Sequence, residues 1–597
     1  MPANGLPQGR YLSCAFRVSL DAGGQTRAML MRNRILAAAG VRPDVLVLGA
    51  APDHDARRAV LLERGLLADG VGLLNIYEHA RDRHWGEPVP TGATLADLSA
   101  HCVREETGAD GEPWRRTYRG PGERYATYDY LRADGSPYLR IPAFGLAAGS
   151  RGHGLVQQVG PDGQVVGEFK TAGQWFRRWI RELAEGQQRT FVFIDSRHVV
   201  PHLIPLKAKR VHTVYVLHNL HVLAPYRWDS DVNLAYRRVL ARVDGMGALV
   251  TLTDRQRDDI AERRGRTSNM YVVPNPVDPP PVPAEPLARD PARVVIVARL
   301  EAQKGLDDAI AAFARVVEAV PAARLDIYGE GSRRDRLQAE IARLGLDGHV
   351  TLRGFDPEAR EVLWRSSAFL MTSSFEGYPL ATLESMSRGC PVVSYDIKYG
   401  PREQITDGLD GFLVPRGDVA RLADRIIELL RSPELVARMG AAARATAERH
   451  DAGGFLADWE RVLRAVLARR SHRTRIDEVR LETRRLRIAR GDRLQFAGVL
   501  HVDGHSRHAQ LDSAEVQLVA VDDATGGVTP IPLKLERMGD ALRLQTPAGL
   551  RGGPELPAGT RLRLRLLWEN SAWETVLTPE RDPGRQRRSP ATARARA

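Results

Sequence analysis

Short apolar runs alternate with amphipathic stretches through the first part of the chain. Residues 11–20 and 43–49 form apolar runs, with a glycine-containing turn and a stretch of helical period between them. Strand, glycine-rich turn, helix and strand in this order are typical of the beginning of a parallel α/β sheet. The same alternation returns at residue 174 and continues to residue 273. We therefore predict one α/β domain in two parts, 1–107 and 174–273.

The hydrophobic pattern changes to short alternating runs between residues 108 and 173. Asp-Gly pairs at 134–135 and 162–163 interrupt these runs. Alternation with period two predicts strands, and Asp-Gly is a strong signal for a tight hairpin turn. We expect a β-meander inserted into the first α/β domain.

A proline-rich stretch, residues 274–290, separates this domain from a second α/β pattern at 291–470. Proline fixes φ and lacks an N–H donor, so the stretch is predicted to be a linker. The second pattern predicts another doubly wound parallel sheet, which a helix at 455–468 closes. From 475 to 580 the period returns to two, which predicts a β-sandwich. Residues 581–597 are predicted to be a basic disordered tail.

Composition places the 597-residue chain among ordinary folded proteins, with 43% hydrophobic and 27% charged residues. No run approaches the roughly 20 apolar residues that span a bilayer, and the first residues do not resemble a signal peptide. The three cysteines are scattered without CxxC spacing, which argues against a disulfide scaffold or a zinc site. We expect a cytoplasmic protein.

The net charge of +12 is concentrated in two stretches of the sequence. Residues 469–490 carry nine arginines and three acids, and the tail from 583 carries five arginines and no acid. Such a surface suits a polyphosphate polymer, an acidic membrane face or nucleic acid. A solvated surface is the alternative, because the chain has six lysines against eighty arginines, a general bias towards arginine.

Two cations follow the first strand of the second α/β pattern. Arg299 and Lys304 lie where that strand gives way to a helix. Ligands of open α/β sheets bind at the carboxyl ends of strands, and two cations there can neutralise a pyrophosphate leaving group. Considered alone, such a pair is more often a surface charge pair.

Two glutamates eight positions apart form the second candidate cluster. Glu376 precedes a Gly-Tyr-Pro-Leu turn, and Glu384 is expected to open the following helix. The backbone amides of this turn can hold phosphate or sugar oxygens, and a carboxylate can accept bonds from neighbouring hydroxyls. A helix cap with a surface glutamate is the alternative.

Together these residues resemble the retaining GT-B enzymes of glycosyltransferase family 4. The likeness extends to the segments Tyr-Gly-Glu-Gly at 328–331 and Leu-Arg-Gly-Phe at 352–355. It implies two Rossmann-like domains, of which the first holds the acceptor and the second holds the nucleotide sugar. It also implies catalysis without a metal or other cofactor, and no metal-binding DxD motif is evident at a strand end. The roles it implies are a diphosphate site at Arg299 and Lys304, sugar contacts at Glu376 and His218, a cradle at Gly377, Tyr378 and Leu380, a ribose contact at Glu384, a base contact at Gly354 and Phe355, and a donor-phosphate loop at Gly23 and Gly24.

His218 has competing interpretations. It lies at the end of an apolar run, where a histidine can bond a sugar hydroxyl or carry a proton. A structural histidine that caps the strand is the alternative, and His221 is a weaker candidate for the same role.

The predicted insert resembles that of bacterial poly(glycerol-phosphate) and poly(ribitol-phosphate) α-glycosyltransferases, which modify teichoic acids. A similar insert occurs in accessory-secretion Ser/Thr-protein N-acetylglucosamine transferases. The resemblance implies UDP-glucose or UDP-N-acetylglucosamine as donor and an anionic polymer or a Ser/Thr-rich protein as acceptor. It allows self-association through the insert and peripheral contact with the inner face of the cell membrane.

Two other classes remain open. One is a non-catalytic polyanion-binding protein on a GT-B scaffold, which would not explain the complete donor site. The other is a GT-B phosphorylase, which needs a pyridoxal-phosphate lysine. No aromatic-interleaved basic motif points to nucleic acid.

Overall fold

The computed structural model describes residues 5–19, 23–83, 92–119, 126–142, 155–206, 208–240, 242–264, 269–278, 280–283, 287–469, 475–489, 493–505, 511, 514–522, 528–547, 560–568 and 571–581. Its contacts divide the chain into two compact units. The first comprises Met1–Leu223, Val232–Arg257 and Asn269–Arg469, and the second comprises Ala224–Asp231, Asp258–Ser268 and Arg470–Ala597. The predicted basic tail lies outside the described residues beyond residue 581.

The first unit begins with alternating strands and helices. The strand predicted at 11–20 ends at Ala15, where its pairing with the second strand also ends. Inward-facing Met29 and Leu30 pack against Val45 and Val47 of that second strand. The elements are β1 (Arg10–Ala15), α1 (Gly24–Ala38), β2 (Pro43–Val47), α2 (His54–Glu63), β3 (Gly72–Asn75) and α3 (Ile76–Asp82).

A six-stranded antiparallel sheet follows, and each strand pairs with its neighbour in sequence. This is the predicted meander, but its first strand starts at Cys102 rather than at 108. The mostly polar and exposed residues of that strand gave no apolar run from which to recognise it. The two Asp-Gly pairs lie in hairpin turns, as expected. The strands are β4 (Cys102–Thr107), β5 (Pro113–Tyr118), β6 (Thr127–Leu131), β7 (Pro137–Pro142), β8 (Val156–Val159) and β9 (Val165–Phe169).

The chain then returns to the first sheet. Its further elements are α4 (Ala172–Ala184), β10 (Thr190–Ile194), α5 (Val200–Leu203), β11 (Val211–Leu217), α6 (Leu234–Leu240), β12 (Ala248–Thr251), α7 (Asp254–Arg264) and β13 (Met270–Val272). The completed sheet has seven strands in the order β13-β12-β11-β10-β1-β2-β3, and all its pairs are parallel. The ends of β1, β10 and β11 therefore lie side by side.

The second sheet of this unit has six parallel strands in the order β16-β15-β14-β17-β18-β19. Its strands are β14 (Asp290–Val297), β15 (Arg324–Tyr328), β16 (Val350–Gly354), β17 (Ser366–Met371), β18 (Val392–Asp396) and β19 (Gly411–Pro415). Its helices are α8 (Leu306–Ala319), α9 (Arg334–Arg343), α10 (Leu380–Ser387), α11 (Pro401–Gln404), α12 (Val419–Arg431), α13 (Pro433–Glu448) and α14 (Ala452–Ala468). Two parallel sheets with helices confirm the predicted α/β class.

The last helix, α14, belongs to both sheets rather than to the second one alone. The ring of Trp459 meets that of Phe193 on β10 edge-on, with their centroids 5.1 Å apart. Val277 of the predicted linker is also buried in this shared core. One apolar core therefore joins the two sheets.

The second unit contains two β-sheets that enclose a common core, so the predicted β-sandwich is confirmed. Its strands are β20 (Arg475–Ala489), β21 (Arg493–His505), β22 (Glu515–Asp522), β23 (Val528–Ile531), β24 (Lys534–Met538), β25 (Ala541–Gln545), β26 (Thr560–Trp568), β27 (Ser571–Leu577) and β28 (Glu580–Arg581). The sheets have the orders β24-β25-β21-β20-β28 and β23-β22-β26-β27.

The alternating arginines of the sandwich do not share one basic face. Arg485 and Arg487 on β20 are exposed. Arg563 and Arg565 on β26 are buried, and both bind the carboxylate of Glu574 at 2.7 Å. Alternation placed each pair on one side of its strand but did not say which side faces solvent.

In the same unit, the loop at 224–231 packs on the β26 arginines. The guanidinium of Arg565 lies 4.4 Å from the ring centre of Trp228, which also contacts Val519 and Val521. The neighbouring carboxylate of Asp229 lies 3.6 Å from Arg563. These buried cations therefore hold a loop of their own unit.

None of the helices that the structure describes combines the length and the apolar composition needed to cross a membrane.

Candidate active site

The loop after β14 and the loop after β17 are bound to each other. Gly305 adopts a φ of +59°, and a Cβ there would lie 2.3 Å from the carbonyl oxygen of Thr372. The hydroxyl of Thr372 donates to the carbonyl of Lys304 at 3.0 Å, and Gln303 donates to the carbonyl of Phe375 at 2.8 Å. Only glycine fits this close approach in a left-handed conformation. The Lys-Gly pair of the sequence therefore brings Lys304 beside the Phe-Glu-Gly segment.

Lys304 and Glu376, predicted as separate candidates, form an ion pair. The Nζ of Lys304 lies 2.6 Å from Oε1 of Glu376, and both side chains are mostly buried. The backbone of Glu376 is fixed by Lys398, whose carbonyl accepts from its N–H at 3.1 Å, and by Tyr399, whose N–H donates to its carbonyl at 3.0 Å. The carboxylate and the ammonium are therefore held in one place by both loops.

Arg299 occupies the end of β14 but remains exposed, unlike Lys304. The structure places no ion pair on Arg299 within the residues that it describes. Its nearby acid, Glu301, instead accepts hydrogen bonds from the N–H and the hydroxyl of Ser332 at 3.1 and 2.9 Å. The guanidinium charge of Arg299 thus faces solvent at the carboxyl end of the sheet.

Gly377 brings this cluster against the first sheet. A Cβ at Gly377 would lie 1.9 Å from the carbonyl oxygen of His218 and 3.1 Å from the Cα of Asn219. His218 directly follows β11, so the end of that strand packs on the backbone of the Glu376–Gly377 turn. The structure therefore unites three predicted residues, Lys304, Glu376 and His218.

Glu384 is buried in the second turn of α10 and does not open that helix, which starts at Leu380. Sequence reasoning placed the helix start at Glu384, because the preceding Gly-Tyr-Pro-Leu segment was taken for a loop. The helix instead begins directly after Pro379. Each oxygen of the Glu384 carboxylate accepts one arginine. Oε1 lies 2.6 Å from Arg27 of α1, and Oε2 lies 2.7 Å from Arg360.

The two guanidiniums determine the ionisation of Glu384. Burial by itself raises the pKa of this carboxyl, but Arg27 and Arg360 outweigh burial and hold the pKa below its usual range. Sequence reasoning missed both arginines. The only available signal was the position of Arg27 three residues after the Gly23-Gly24 pair.

His218 is bound from behind by a buried carboxylate. Its Nε2 lies 2.8 Å from Oδ1 of Asp195, the residue that follows β10. Arg32 of α1 donates to the two oxygens of Asp195 at 2.9 and 2.6 Å. Sequence reasoning assigned no role to either Asp195 or Arg32. Pairing across 163 residues leaves no local signal.

The remaining predicted donor residues occupy separate positions. Gly23 caps α1 and Gly24 is its first residue, and a Cβ on either would meet nothing within 4 Å among the described residues. Gly354 ends β16, and Phe355 beside it is 55% exposed. The proposed base contact thus has an exposed ring available.

Tyr378 and Leu380 offer backbone rather than side chains to a ligand. Both side chains are buried, and the phenol of Tyr378 lies 3.3 Å from Nδ1 of His450. Leu380 is the first residue of α10, whose leading N–H groups lack partners within the helix. Such amides suit an anion or a sugar oxygen.

His221, the weaker histidine candidate, is fully buried and stacks on Tyr399, with ring centroids 6.3 Å apart. In the part of the chain that the structure describes, no group of three or more His, Cys, Asp or Glu residues could hold a metal ion.

Comparison with known proteins gives a family for the second sheet. Residues 282–446 match the family glycosyl transferases group 1. The chain is 27% identical over 320 residues to the poly(glycerol-phosphate) alpha-glucosyltransferase of Bacillus subtilis, covering 53% of this chain and 47% of the relative. It is 25% identical over 298 residues to the poly(ribitol-phosphate) alpha-N-acetylglucosaminyltransferase of Staphylococcus aureus, covering 49% of this chain and 59% of the relative. The chain thus spans about half the length of these relatives.

The structure also superposes on the pneumococcal O-GlcNAc transferase GtfA, which was solved in complex with UDP and GlcNAc. The TM-score is 0.60 at 17% identity, and the match covers 77% of this chain and 99% of that chain. The likeness confirms the GT-B fold expected from the sequence.

Proposed function

Because residues 282–446 form a glycosyl transferases group 1 domain within a GT-B fold, we propose that this chain is a retaining glycosyltransferase. It moves glucose or N-acetylglucosamine from a UDP-sugar to a hydroxyl of a polyol-phosphate polymer of the teichoic-acid type. The acceptors named for the two curated relatives, poly(glycerol-phosphate) and poly(ribitol-phosphate), support this polymer class.

One observation carries the proposal: the Lys304–Glu376 ion pair lies beside His218 at the meeting of two parallel sheets. Ligands of such folds bind at the carboxyl ends of the strands, and all three residues follow strand ends there. Glu376 accepts hydrogen bonds from hydroxyls of the transferred sugar, and His218 bonds another hydroxyl. The amides of Gly377, Tyr378 and Leu380 line the cradle.

Arg299 and Lys304 act on the leaving group. When the bond between the sugar and the diphosphate breaks, negative charge develops on a phosphate oxygen. Fixed cations at that position stabilise the transition state more than the ground state. The two side chains thereby take the place that a divalent metal fills elsewhere, so we propose a reaction without a metal or other cofactor. Gly23 and Gly24 approach the same phosphates from the first sheet.

Glu384 binds the ribose. A carboxylate offers about four lone-pair sites, and the two arginines occupy one on each oxygen. Two sites remain for adjacent ribose hydroxyls, and the arginines keep the carboxyl ionised. Gly354 and the exposed ring of Phe355 contact the base.

The acceptor is the less constrained part of the proposal. On β20, Arg480, Arg484, Arg485 and Arg487 are all exposed, and only Arg480 has an ion-pair partner, Glu482 at 3.2 Å, among the described residues. An exposed row of arginines attracts a polyphosphate chain over long range. We also propose that the protein is cytoplasmic, with peripheral contact at the inner face of the cell membrane.

The test offers UDP-glucose and UDP-N-acetylglucosamine with either a polyol-phosphate polymer or a Ser/Thr-rich peptide. Products are identified by mass spectrometry, and the anomeric configuration is read by NMR. We expect α-linked hexose on the polymer, with equal rates in EDTA and in added Mg²⁺. Glu376→Gln serves as the inactive control, and Glu340→Gln, a partly exposed glutamate on α9, serves as the matched active control.

Each outcome bears on a different part of the proposal. Transfer to the peptide alone would replace the polymer acceptor with protein O-glycosylation, and an inverted product would exclude the retaining mechanism. Absence of both UDP binding and turnover would favour a polyanion-binding protein on this fold. Loss of activity in EDTA would overturn metal independence.

A further inference from the structure

Three residues from three elements form a continuous chain of hydrogen bonds behind the candidate sugar site. Arg32 lies on α1, Asp195 follows β10 and His218 follows β11. The His218 Nε2 to Asp195 Oδ1 distance is 2.8 Å, and the Arg32 to Asp195 distances are 2.9 and 2.6 Å. Neighbouring parallel strands bring Asp195 and His218 together, because both residues directly follow paired strands.

The surroundings hold this chain in one geometry. The side chains of Arg32 and Asp195 are 2% and 0% exposed. The same guanidinium donates to the hydroxyl of Ser13 at 2.9 Å and stacks over the ring of Phe193 at 4.4 Å. Burying an ion pair gives a protein little net stability. The many contacts of the Arg32–Asp195 pair are therefore better explained by a need to hold the Asp195 carboxylate in one position.

The ionisation of the chain follows from its charges. Burial by itself raises the pKa of Asp195, but Arg32 and the hydrogen bond from His218 outweigh it and hold the pKa well below the usual range. The other groups that face this carboxylate stay neutral, because burial raises the pKa of the Cys14 thiol on β1 and of the Tyr215 phenol on β11.

The carboxylate therefore determines which ring nitrogen of His218 carries the proton. An ionised carboxylate only accepts, so Nε2 must donate to it. The buried Nδ1 is left without a partner among the described residues. In a neutral imidazole, that nitrogen is a hydrogen-bond acceptor.

We propose that Asp195 and Arg32 are positioning residues that fix His218 in the Nε2–H form, so that Nδ1 accepts a hydrogen bond from a hydroxyl of the transferred sugar. This inference rests on the proposed function. Asp195 sets the tautomer and the ring orientation. Arg32 neutralises Asp195, so that His218 is not drawn into the imidazolium form, in which Nδ1 could no longer accept.

The surrounding charges limit what else could titrate there. Arg197, two residues after Asp195, is exposed and adds a fixed positive charge nearby. On the side of the second sheet, His218 meets the backbone of Gly377, and the adjacent Glu376 is paired with Lys304. The one histidine among these groups is His218, so opposite shifts on removing Asp195 or Arg32 would report on its ring.

The test compares the acid limb of the kcat profile for UDP-sugar turnover in wild type, Asp195→Asn and Arg32→Met. In Asp195→Asn the imidazolium loses its carboxylate and keeps Arg32 nearby, so the limb should move to lower pH. In Arg32→Met an unneutralised carboxylate favours the imidazolium, so the limb should move to higher pH. We also expect kcat to fall about 100-fold or more in Asp195→Asn at unchanged UDP affinity, because an amide no longer dictates the tautomer.

General damage to the fold would not shift the limb in opposite directions. The double variant Arg32→Met/Asp195→Asn removes both buried charges and serves if Arg32→Met fails to fold. Its limb should lie between those of the single variants. Folding of each variant is checked by the rise in melting temperature with UDP. Limbs that move together, or that do not move, would overturn the inference while the proposed function stands.

A wild type that turns over no UDP-sugar would sink the proposed function instead. The positioning of the His218 tautomer would then be decided separately, by ¹⁵N NMR of histidine-labelled protein, with His218→Gln identifying the signal. A proton on Nε2 is expected, and a proton on Nδ1 alone would overturn the inference.

Discussion

Gly377→Ala should disable the site by moving one turn. The added Cβ would lie 1.9 Å from the carbonyl oxygen of His218, whereas real Cβ contacts stay beyond 3.0 Å. The carbonyl oxygen is backbone and a Cβ is fixed rigidly to the backbone of residue 377, so the turn that bears Glu376 must retreat by the difference, about 1.1 Å. A displacement of about 1 Å in a positioned catalytic group typically costs about 100-fold in rate.

The assay is kcat for UDP-sugar turnover together with the melting temperature. Overpacking costs roughly 1–3 kcal/mol of stability, so the variant should fold but melt at a lower temperature. Gly348→Ala is the matched control, because a Cβ there meets nothing within 4 Å among the described residues. A folded Gly377→Ala enzyme with the wild-type kcat would refute the idea that contact between this turn and the end of β11 builds the site.

Three further predictions concern the ion pairs. Lys304→Ala should lower kcat by about 100-fold to 1000-fold with little change in melting temperature. Arg343→Ala, which replaces an exposed arginine, should leave kcat unaltered. An equal loss of kcat in both variants would contradict the role of Lys304 at the leaving group. Glu384→Gln should weaken UDP binding measured by calorimetry. Since the folded pKa of Glu384 is depressed, its ionised form contributes stability above its unfolded pKa, and that contribution is lost as pH falls through the folded pKa. The free energy of unfolding of Glu384→Gln in urea should therefore approach that of wild type below about pH 4. A difference between the two proteins that stays constant with pH would exclude this linkage. Arg565→Met should destabilise the sandwich unit by about 3 kcal/mol in urea unfolding, because it breaks a buried charge network. Arg543→Met, at an exposed arginine, should change the free energy of unfolding little. Similar losses in both variants would show that the burial of Arg565 is unimportant.

Local pattern was sufficient for most strands and turns. The Asp-Gly pairs of the insert lie in its hairpins, and the period-two runs after 475 became strands of the sandwich. These features depend on neighbouring residues, whose preferences act over a few positions. The residues proposed to act on the donor, Arg299, Lys304 and Glu376, were also accessible, because their spacing along one domain resembles a known family.

Contacts between distant segments were not accessible. Arg27 and Arg360 meet at Glu384 from opposite sheets, and Arg32 reaches Asp195 across 163 residues. Each of these arginines looks like any other among eighty in the sequence. A side chain gives no sequence signal of its partner when the partner is supplied by another part of the fold.

The sequence by itself determined the two α/β patterns, the β-insert, the sandwich strands and the spacing of Arg299, Lys304, Glu376 and Glu384. The tertiary structure alone decided that α14 joins both sheets through Trp459 and that Arg565 is buried while Arg487 is exposed. It also decided that the turn at Gly377 meets the end of β11. Periodicity specifies that a strand or helix has two faces, but only the packing of distant segments determines what each face meets.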